Sequence, residues 1–267
     1  MANCLKRVVQ IGAQTFRENV VHNRWFQLSL FGLLLFVLGC RTLSGLPLGP
    51  SAPKLMFDVG QAVIRILSSS VLVILLSHQI MSEIQNGTVY SILVRCVRRP
   101  EYLLGKLLGN WFSVVISLVL AQSLLAAFVT VDARIWEGAV VPGILGWTQV
   151  FLVHSVELLV LGFLVVCIVS FSRSFLFAAL VTLAIWTAAM LLPGLQSPEA
   201  SAAKFAPFLV DAMSWILPPV AMWNLSADIW YDGALGLLEV GRLVLLSAFY
   251  AALFFGFGSY LFNRRGL

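Results

Sequence analysis

The chain has 267 residues, of which 60% are hydrophobic and 11% charged, and its mean hydropathy is +0.95. Soluble domains carry about 25% charged and about 45–50% apolar residues, so this composition excludes a soluble globular protein. The net charge of +5 is explained by basic loops on one side of a membrane, and we expect no nucleic-acid partner. The long apolar runs predict an all-α, polytopic helical membrane protein, because membrane barrels show shorter alternating segments of about ten residues.

The first 23 residues predict an amphipathic helix that lies on the membrane surface before the first span. Its apolar residues recur at helical spacing, with basic and amide side chains between them: Leu5, Val9, Gly12, Phe16 and Val20. This pattern is typical of an interfacial helix. The apolar core of a cleavable signal peptide would begin earlier, so we do not expect one.

Six apolar runs follow, and each is compared with the roughly 20 residues needed to cross a hydrocarbon core. The predicted spans are 25–40, 59–80, 103–131, 145–170, 175–192 and 240–262. The third is long enough to be tilted or to extend into water. We see no internal repeat and no change of composition, so residues 1–267 are expected to form one transmembrane domain.

The connection between the second and third spans, 83–102, is short and basic. Asn86-Gly87 can end the preceding helix, because glycine readily adopts the left-handed conformation. Thr88 can then cap a short following helix by accepting a bond from a backbone N–H. The basic side chains come next along the chain: Arg95, Arg98 and Arg99, with Lys106 just inside the third span.

Lysine and arginine are most frequent on the side that carries both termini and the 83–102 connection. This distribution predicts that the N- and C-termini are cytoplasmic. Acidic residues are concentrated on the other side. The predicted location is a bacterial-type inner (plasma) membrane, with the protein passing through it several times.

Three ionisable residues lie deep inside predicted spans and belong to one polar constellation. His154 and Glu157 are three residues apart and share a face of the fourth span, and Arg65 lies in the second span. Charged groups at such depth are costly and are usually paired or functional. Two interpretations remain open: a polar lining or gate on a translocation route, and an interhelical salt bridge. A metal site is not expected, because two ligands do not make one.

The stretch 193–239 is predicted to be an extracytoplasmic loop with short interfacial helices. Its part 205–231 is apolar, but prolines and Asp211 interrupt it, so we do not count it as a seventh span. Four large aromatic residues suit an interfacial belt, with an outer gate as the alternative: Trp215, Trp223, Trp230 and Tyr231.

Catalytic motifs are missing from the sequence. It contains no G-x-x-x-x-G-K-[ST] phosphate loop and no H-E-x-x-H or G-x-S-x-G motif. The four cysteines lack metal-ligand spacing, and a disulfide framework is not expected. We therefore predict that this chain is not an enzyme and holds no cofactor.

The motif E-x-x-x-G-T at 83–88, followed by leucine, basic residues and R-P-E-Y-L-L-G-K at 99–106, resembles the permease subunits of ABC-2-type ATP-binding-cassette transporters. The segment Phe16-Arg17-Glu18 with Arg24 is similar to the opening of that family. Where such permeases often have proline after the basic residue, this chain has Cys96. The region 193–239 has a weaker resemblance to permeases of the nitrous-oxide-reductase-maturation and gliding-motility group.

The resemblance implies that 83–102 forms a cytoplasmic coupling helix seated on a separate ABC ATPase subunit, which binds the ATP and magnesium. It also implies pairing with a second copy or a paralogous permease, and export from the cytoplasm or inner leaflet. The residues expected to couple to the ATPase are Glu83, Gly87, Thr88, Val89, Ile92, Leu93, Arg95, Arg98, Arg99 and Lys106.

Two other functions stay open at this point. A secondary transporter would need inverted repeats or broken helices with ion ligands near the midplane, and the sequence has a single carboxylate, Glu157, within its predicted spans. A membrane scaffold that anchors a cytosolic ATPase without transport is the other alternative. The substrate is not indicated by any motif.

Overall fold

The computed structural model describes residues 2–42, 49–89, 97–135, 141–195, 217–218 and 220–264. Every regular element in these ranges is a helix. The α-helices are α1 Ala2–Arg17, α2 Arg24–Cys40, α3 Ala52–Gln85, α4 Arg99–Ile135, α5 Ile144–Phe171, α6 Phe175–Leu195, α7 Ser226–Asp232 and α8 Leu237–Arg264. A π-helical turn, Glu18–His22, follows α1, and short 3-10 helices occupy Gly49–Ser51 and Val220–Trp223.

Five helices among the described residues are long and apolar enough to cross a membrane: α3, α4, α5, Phe175–Leu192 of α6 and Leu238–Arg264 of α8. The chain is therefore a multi-pass helical membrane protein, as predicted. The sixth span is not confirmed, because α2 has 17 residues and measures about 25 Å, less than a hydrocarbon core of about 30 Å. The segments Leu5–His22 and Phe26–Cys40 meet at a bend of 68°.

The spanning helices extend well beyond the predicted boundaries. Helix α3 has 34 residues and begins at Ala52, where the sequence predicted a start at 59, and α4 has 37 residues. At 1.5 Å per residue these helices measure about 51 and 55 Å. The prediction missed these extensions because their residues are polar. A hydropathy criterion detects only the part of a helix that lies in the lipid, and these helices continue beyond it.

Helix α5 lies at the centre of the bundle, where it contacts α3, α4, α6 and α8. Its most apolar stretch is 78% buried inside the protein, whereas that of α8 is only 6% buried. A helix that is apolar on every side is suited to such a position. Helix α5 therefore sets the positions of side chains that reach it from the surrounding helices.

The N-terminal residues form a helix, α1, as predicted, and this helix packs on α4. Val8 is buried, and Gly12 lies against Gly105 of α4, whereas Leu5 and Val9 of the predicted apolar stripe are exposed. The two backbones approach closely because glycines face each other. A Cβ atom added to Gly109 would lie 2.6 Å from the carbonyl oxygen of Gly12.

We expect Gly109→Ala to lower the stability of the protein by about 1–3 kcal/mol, because the added methyl group overpacks the contact between α1 and α4. Thermal unfolding in detergent measures the effect. Gly256→Ala in α8 is the matched control, since no heavy atom lies within 4 Å of its added Cβ and alanine is the better helix former by about 1 kcal/mol. Equal stability of the Gly109 variant and the wild type would contradict this packing.

Candidate functional site

The end of α3 has the predicted turn. Gly87 adopts a left-handed conformation with φ of 71°, which confirms the expected helix stop. A further helix begins at Thr88. The Thr88 hydroxyl donates to the Glu83 carbonyl oxygen at 3.1 Å, so it closes the preceding helix. The predicted capping bond to the next helix, together with Ile92, Leu93 and Arg95, lies outside the described residues.

Three side chains join the two helices that flank the connection, and we call them the loop clamp: Glu83, Tyr102 and Lys106. The Tyr102 hydroxyl donates to Glu83 Oε2 at 2.6 Å, and Lys106 Nζ forms an ion pair with Glu83 Oε1. Lys106 is almost completely buried, with 6% of its side chain exposed. A hydrogen bond to a charged group at a buried position is among the stronger kinds in proteins.

The loop clamp and its neighbours at the start of α4 contact the N-terminal helix and the end of α8. Glu18, just after α1, lies 3.8 Å from Lys106, and Arg7 of α1 lies 3.8 Å from Glu101. Arg99 donates from Nη1 to the carbonyl oxygens of residues 262 and 263, both at 3.0 Å. These bonds satisfy carbonyls that the last turn of a helix leaves open. The base of the connection therefore holds α1, α3, α4 and α8 together.

Helix α4 starts with half of a capping box. Glu101 Oε2 accepts a bond from the backbone N–H of Arg98 at 3.2 Å, the reach back by three residues that this motif uses. The Arg98 side chain itself is exposed. Of the predicted coupling residues that the structure describes, Val89 is fully buried within the chain. Val89 and Lys106 are thus withdrawn from the surface that a partner could contact, and Arg98 is presented on it.

A buried set of polar side chains lies next to the loop clamp, and the sequence analysis missed it. We call it the amide cluster: Asn19, Gln79, Asn110 and Ser113. Asn19 Nδ2 donates to Asn110 Oδ1 at 3.0 Å and to Ser113 Oγ at 3.2 Å, and Asn110 Nδ2 donates to Gln79 Oε1 at 2.8 Å. Gln79 Nε2 donates in turn to Asn19 Oδ1. The signal in the sequence that could have indicated this cluster is the presence of single amide side chains within otherwise apolar segments.

A second polar region lies nearer the other end of the bundle. Arg65 of α3 donates from Nε to both carboxylate oxygens of Glu157 of α5, at 2.7 and 2.9 Å. Its Nη2 donates to the carbonyl oxygen of Val220 at 2.6 Å. His154 Nε2 lies 3.0 Å from the Ser68 hydroxyl. The structure thus brings together the three ionisable residues predicted in the spans, and Arg65 and Glu157 form an ion pair.

These residues line a cavity of about 440 Å³, which we call the polar cavity. Its polar lining includes Asp58, Gln61, Arg65, His154 and Glu157. Its apolar wall includes Met190 and Trp223. A cavity of this volume is within the range that accommodates small organic ligands.

Residues 217–218 and 220–225 insert between the helices beside the polar cavity, and we call them the inserted segment. Trp223 Nε1 donates to Ser247 of α8 at 3.1 Å, and its ring stacks on Trp186 at 5.9 Å. Trp186 is near the middle of α6. The segment therefore packs against the middle of α6.

The predicted aromatic belt is wrong for two of its members. Of the three members that the structure describes, Trp223 and Trp230 are buried inside the protein and Tyr231 is exposed. Trp230 packs on Phe57 of α3, with ring centroids 5.2 Å apart. The two tryptophans attach the inserted segment and α7 to the bundle, a role that depends on tertiary contacts and not on local sequence. Trp215 lies outside the described residues.

The described residues contain no group of three or more histidine, cysteine, aspartate or glutamate side chains that could hold a metal ion. Cys40 and Cys167 are free and buried. Comparison of the chain with protein-family models and with curated proteins finds no match. The functional assignment therefore depends on the residues and geometry of the chain itself.

We expect Arg65→Ala and Glu157→Ala to destabilise the protein by about 3–5 kcal/mol each, because either change leaves a buried charge without its partner. The double variant is expected to cost less than the sum of the two. A double-mutant cycle based on unfolding in detergent measures the coupling, for which we expect at least about 1 kcal/mol. Additive effects would show that the pair contributes no interaction energy.

In the loop clamp we expect Glu83→Gln to be more destabilising than Tyr102→Phe. The first change leaves the buried Lys106 ammonium without its nearest carboxylate, at a cost of about 3–5 kcal/mol, and the second removes one charge-assisted hydrogen bond worth about 1.5–3 kcal/mol. Thermal unfolding tests this order. Tyr260→Phe is the control, since Tyr260 is exposed, and a reversed order would contradict the assigned contacts.

Proposed function

We propose that the chain is the transmembrane permease subunit of an ATP-driven exporter of the ABC-2 type. The observation that carries this proposal is the loop clamp. Glu83 belongs to the first half of the motif that resembles this family, and Tyr102 and Lys106 belong to the second half. The two halves are in direct contact, which gives a physical reason for their occurrence together at this spacing.

The connection has the properties that a docking element needs. It joins two helices that are each longer than a bilayer is thick, and its Arg98 side chain is exposed. An exposed guanidinium can pair with carboxylates of a partner through two parallel bonds. We propose that Arg95 and Arg98 contact an acidic surface of the ATPase subunit. Arg99 has a different role, because it caps the end of α8.

The contacts among the residues that flank the connection can transmit a movement of the connection to the helices. A displacement of the connection would move α3 and α4 together, since Glu83 bonds to both Tyr102 and Lys106. Glu18 and the amide cluster extend this unit to the N-terminal helix. ATP binding to the partner would then favour one arrangement of the helices because the partner binds that arrangement more tightly.

The remaining parts of the proposal follow from this assignment. The chain has no phosphate-binding motif, so the ATP and magnesium belong to the partner. The membrane is a bacterial-type inner (plasma) membrane with both termini cytoplasmic, and α2 together with the bent segment before it provides a sixth span. A second permease copy or a paralogue completes the transporter, which moves its substrate out of the cytoplasm or the inner leaflet.

Purification of the tagged chain from its native membrane in a mild detergent, followed by mass spectrometry, tests the proposal. We expect a stoichiometric ATPase with Walker motifs, and we expect it to be lost from the Arg95→Glu/Arg98→Glu variant while membrane insertion persists. Like charges placed against an acidic partner surface cost several kcal/mol. ATP hydrolysis by the purified complex should fall in parallel with the amount of bound ATPase.

Arg134→Glu is the matched control, since Arg134 is also exposed and lies at the opposite end of α4 from the connection. This variant should retain the ATPase. Isolation of the chain without any ATPase in gentle detergent would overturn the proposal and favour a secondary transporter. Loss of the ATPase from the Arg134 variant to the same extent would show that the connection is not the docking element.

A further inference from the structure

The polar cavity has an unbalanced charge. Arg65 and Glu157 neutralise each other through two bonds of 2.7 and 2.9 Å. Asp58, two turns earlier on α3, contributes a second carboxylate to the cavity lining. In the part of the chain that the structure describes, the Asp58 carboxylate has neither a hydrogen bond nor an ion pair within 4.0 Å. The charged residues of the lining therefore leave one negative charge.

A cation close to Asp58 along α3 contacts another side chain. Lys54 lies one turn before Asp58, but its ammonium contacts the Tyr231 hydroxyl and lies 4.1 Å from the centroid of the Tyr231 ring. Lys54 is close enough to Asp58 to interact with it electrostatically, but the two charged groups are not in direct contact. The other ionisable group of the cavity, His154, has its Nε2 at the Ser68 hydroxyl. The Asp58 carboxylate thus remains available to a ligand.

Apart from the amides of Gln61 and Asn224, the uncharged part of the cavity wall is apolar and aromatic. The Trp223 ring lines the cavity together with Ile66, Val150, Met190 and Leu225. Contacts with Trp186 and Ser247 hold this ring in place. The face of an indole ring attracts cations through its quadrupole. A ligand with both a hydrophobic part and a positive charge is therefore complementary to this cavity.

We propose that the polar cavity is a binding site for an amphiphilic organic cation. Asp58 supplies the counter-charge, Trp223 and the apolar wall contact the hydrophobic part, and the Arg65–Glu157 pair fixes α3 against α5 so that the cavity keeps its shape. Among the described residues no three histidine, cysteine, aspartate or glutamate side chains are grouped to hold a metal ion, and an organic anion would meet the unbalanced carboxylate. The inference is independent of the proposed coupling to an ATPase, because it concerns binding by this chain alone.

Equilibrium binding of radiolabelled phenyltrimethylammonium to the protein in lipid nanodiscs tests the proposal, with empty nanodiscs as background. This probe keeps its charge at every pH, and tert-butylbenzene has almost the same shape without the charge. We expect saturable binding that excess unlabelled probe displaces. Neither tert-butylbenzene nor the anionic benzenesulfonate should displace the probe at the same concentrations.

Asp58→Asn keeps the size of the side chain and removes its charge, and we expect it to weaken binding at least tenfold. Asp228→Asn is the control, because Asp228 is an exposed aspartate on α7 that does not line the cavity. Three results would each overturn the proposal: no saturable binding above empty nanodiscs, displacement by tert-butylbenzene as effective as by the cation, or unchanged affinity in the Asp58 variant. The wild-type competition decides the matter if the Asp58 variant does not fold.

Discussion

The carboxylate of Glu83, shared between the Tyr102 hydroxyl and the Lys106 ammonium, is the interaction on which the arrangement of the bundle depends. A lysine that is 6% exposed cannot remain charged there without a partner, because the desolvation penalty of a lone ion amounts to several kcal/mol. Removing the carboxylate would therefore affect the helices around it as well as the connection. The same bonds fix the relative positions of α3 and α4, against which α1 and α5 pack.

Two groups of polar contacts lie at different levels of the bundle. At one level the loop clamp and the amide cluster connect α1, α3 and α4. At the other, Arg65, Glu157 and the carbonyl of Val220 connect α3, α5 and the inserted segment. Between membrane helices apolar packing is weakly directional, because lipid tails solvate leucine as well as a neighbouring helix does. The polar contacts therefore fix how far one helix is shifted along its neighbour, which apolar packing does not determine.

Much of the architecture could be predicted from the sequence, for identifiable reasons. Membrane helices are revealed by long apolar runs, since the backbone must satisfy its own hydrogen bonds in lipid, and five of the predicted spans coincide with helices of the required length. The stop at Gly87 followed from local conformational preference. The pairing of Arg65 with Glu157 was one of two interpretations left open, because an isolated charge in a span needs a counter-charge.

Other features depended on contacts between residues distant in the sequence. Asn19, Gln79 and Asn110 are separated by up to 91 residues, and no local pattern marks them as one cluster. The burial of Trp223 likewise depends on Trp186 and Ser247, so a composition rule placed it at the membrane surface. The amphipathic pattern of α1 indicated a helix correctly but did not reveal its close contact with α4, because that contact selects glycine and not bulk.

The length of α3 has a mechanical consequence. Glu83 follows Arg65 on one unbroken helix by 18 residues, which is five complete turns and about 27 Å. Both side chains therefore project from the same side of a single rigid rod, one held by α4 and the other by α5. If the helix pivots about a point between these two residues, a tilt of its loop end toward α4 moves Arg65 in the opposite direction. Movements at the two polar levels are then coupled and opposite.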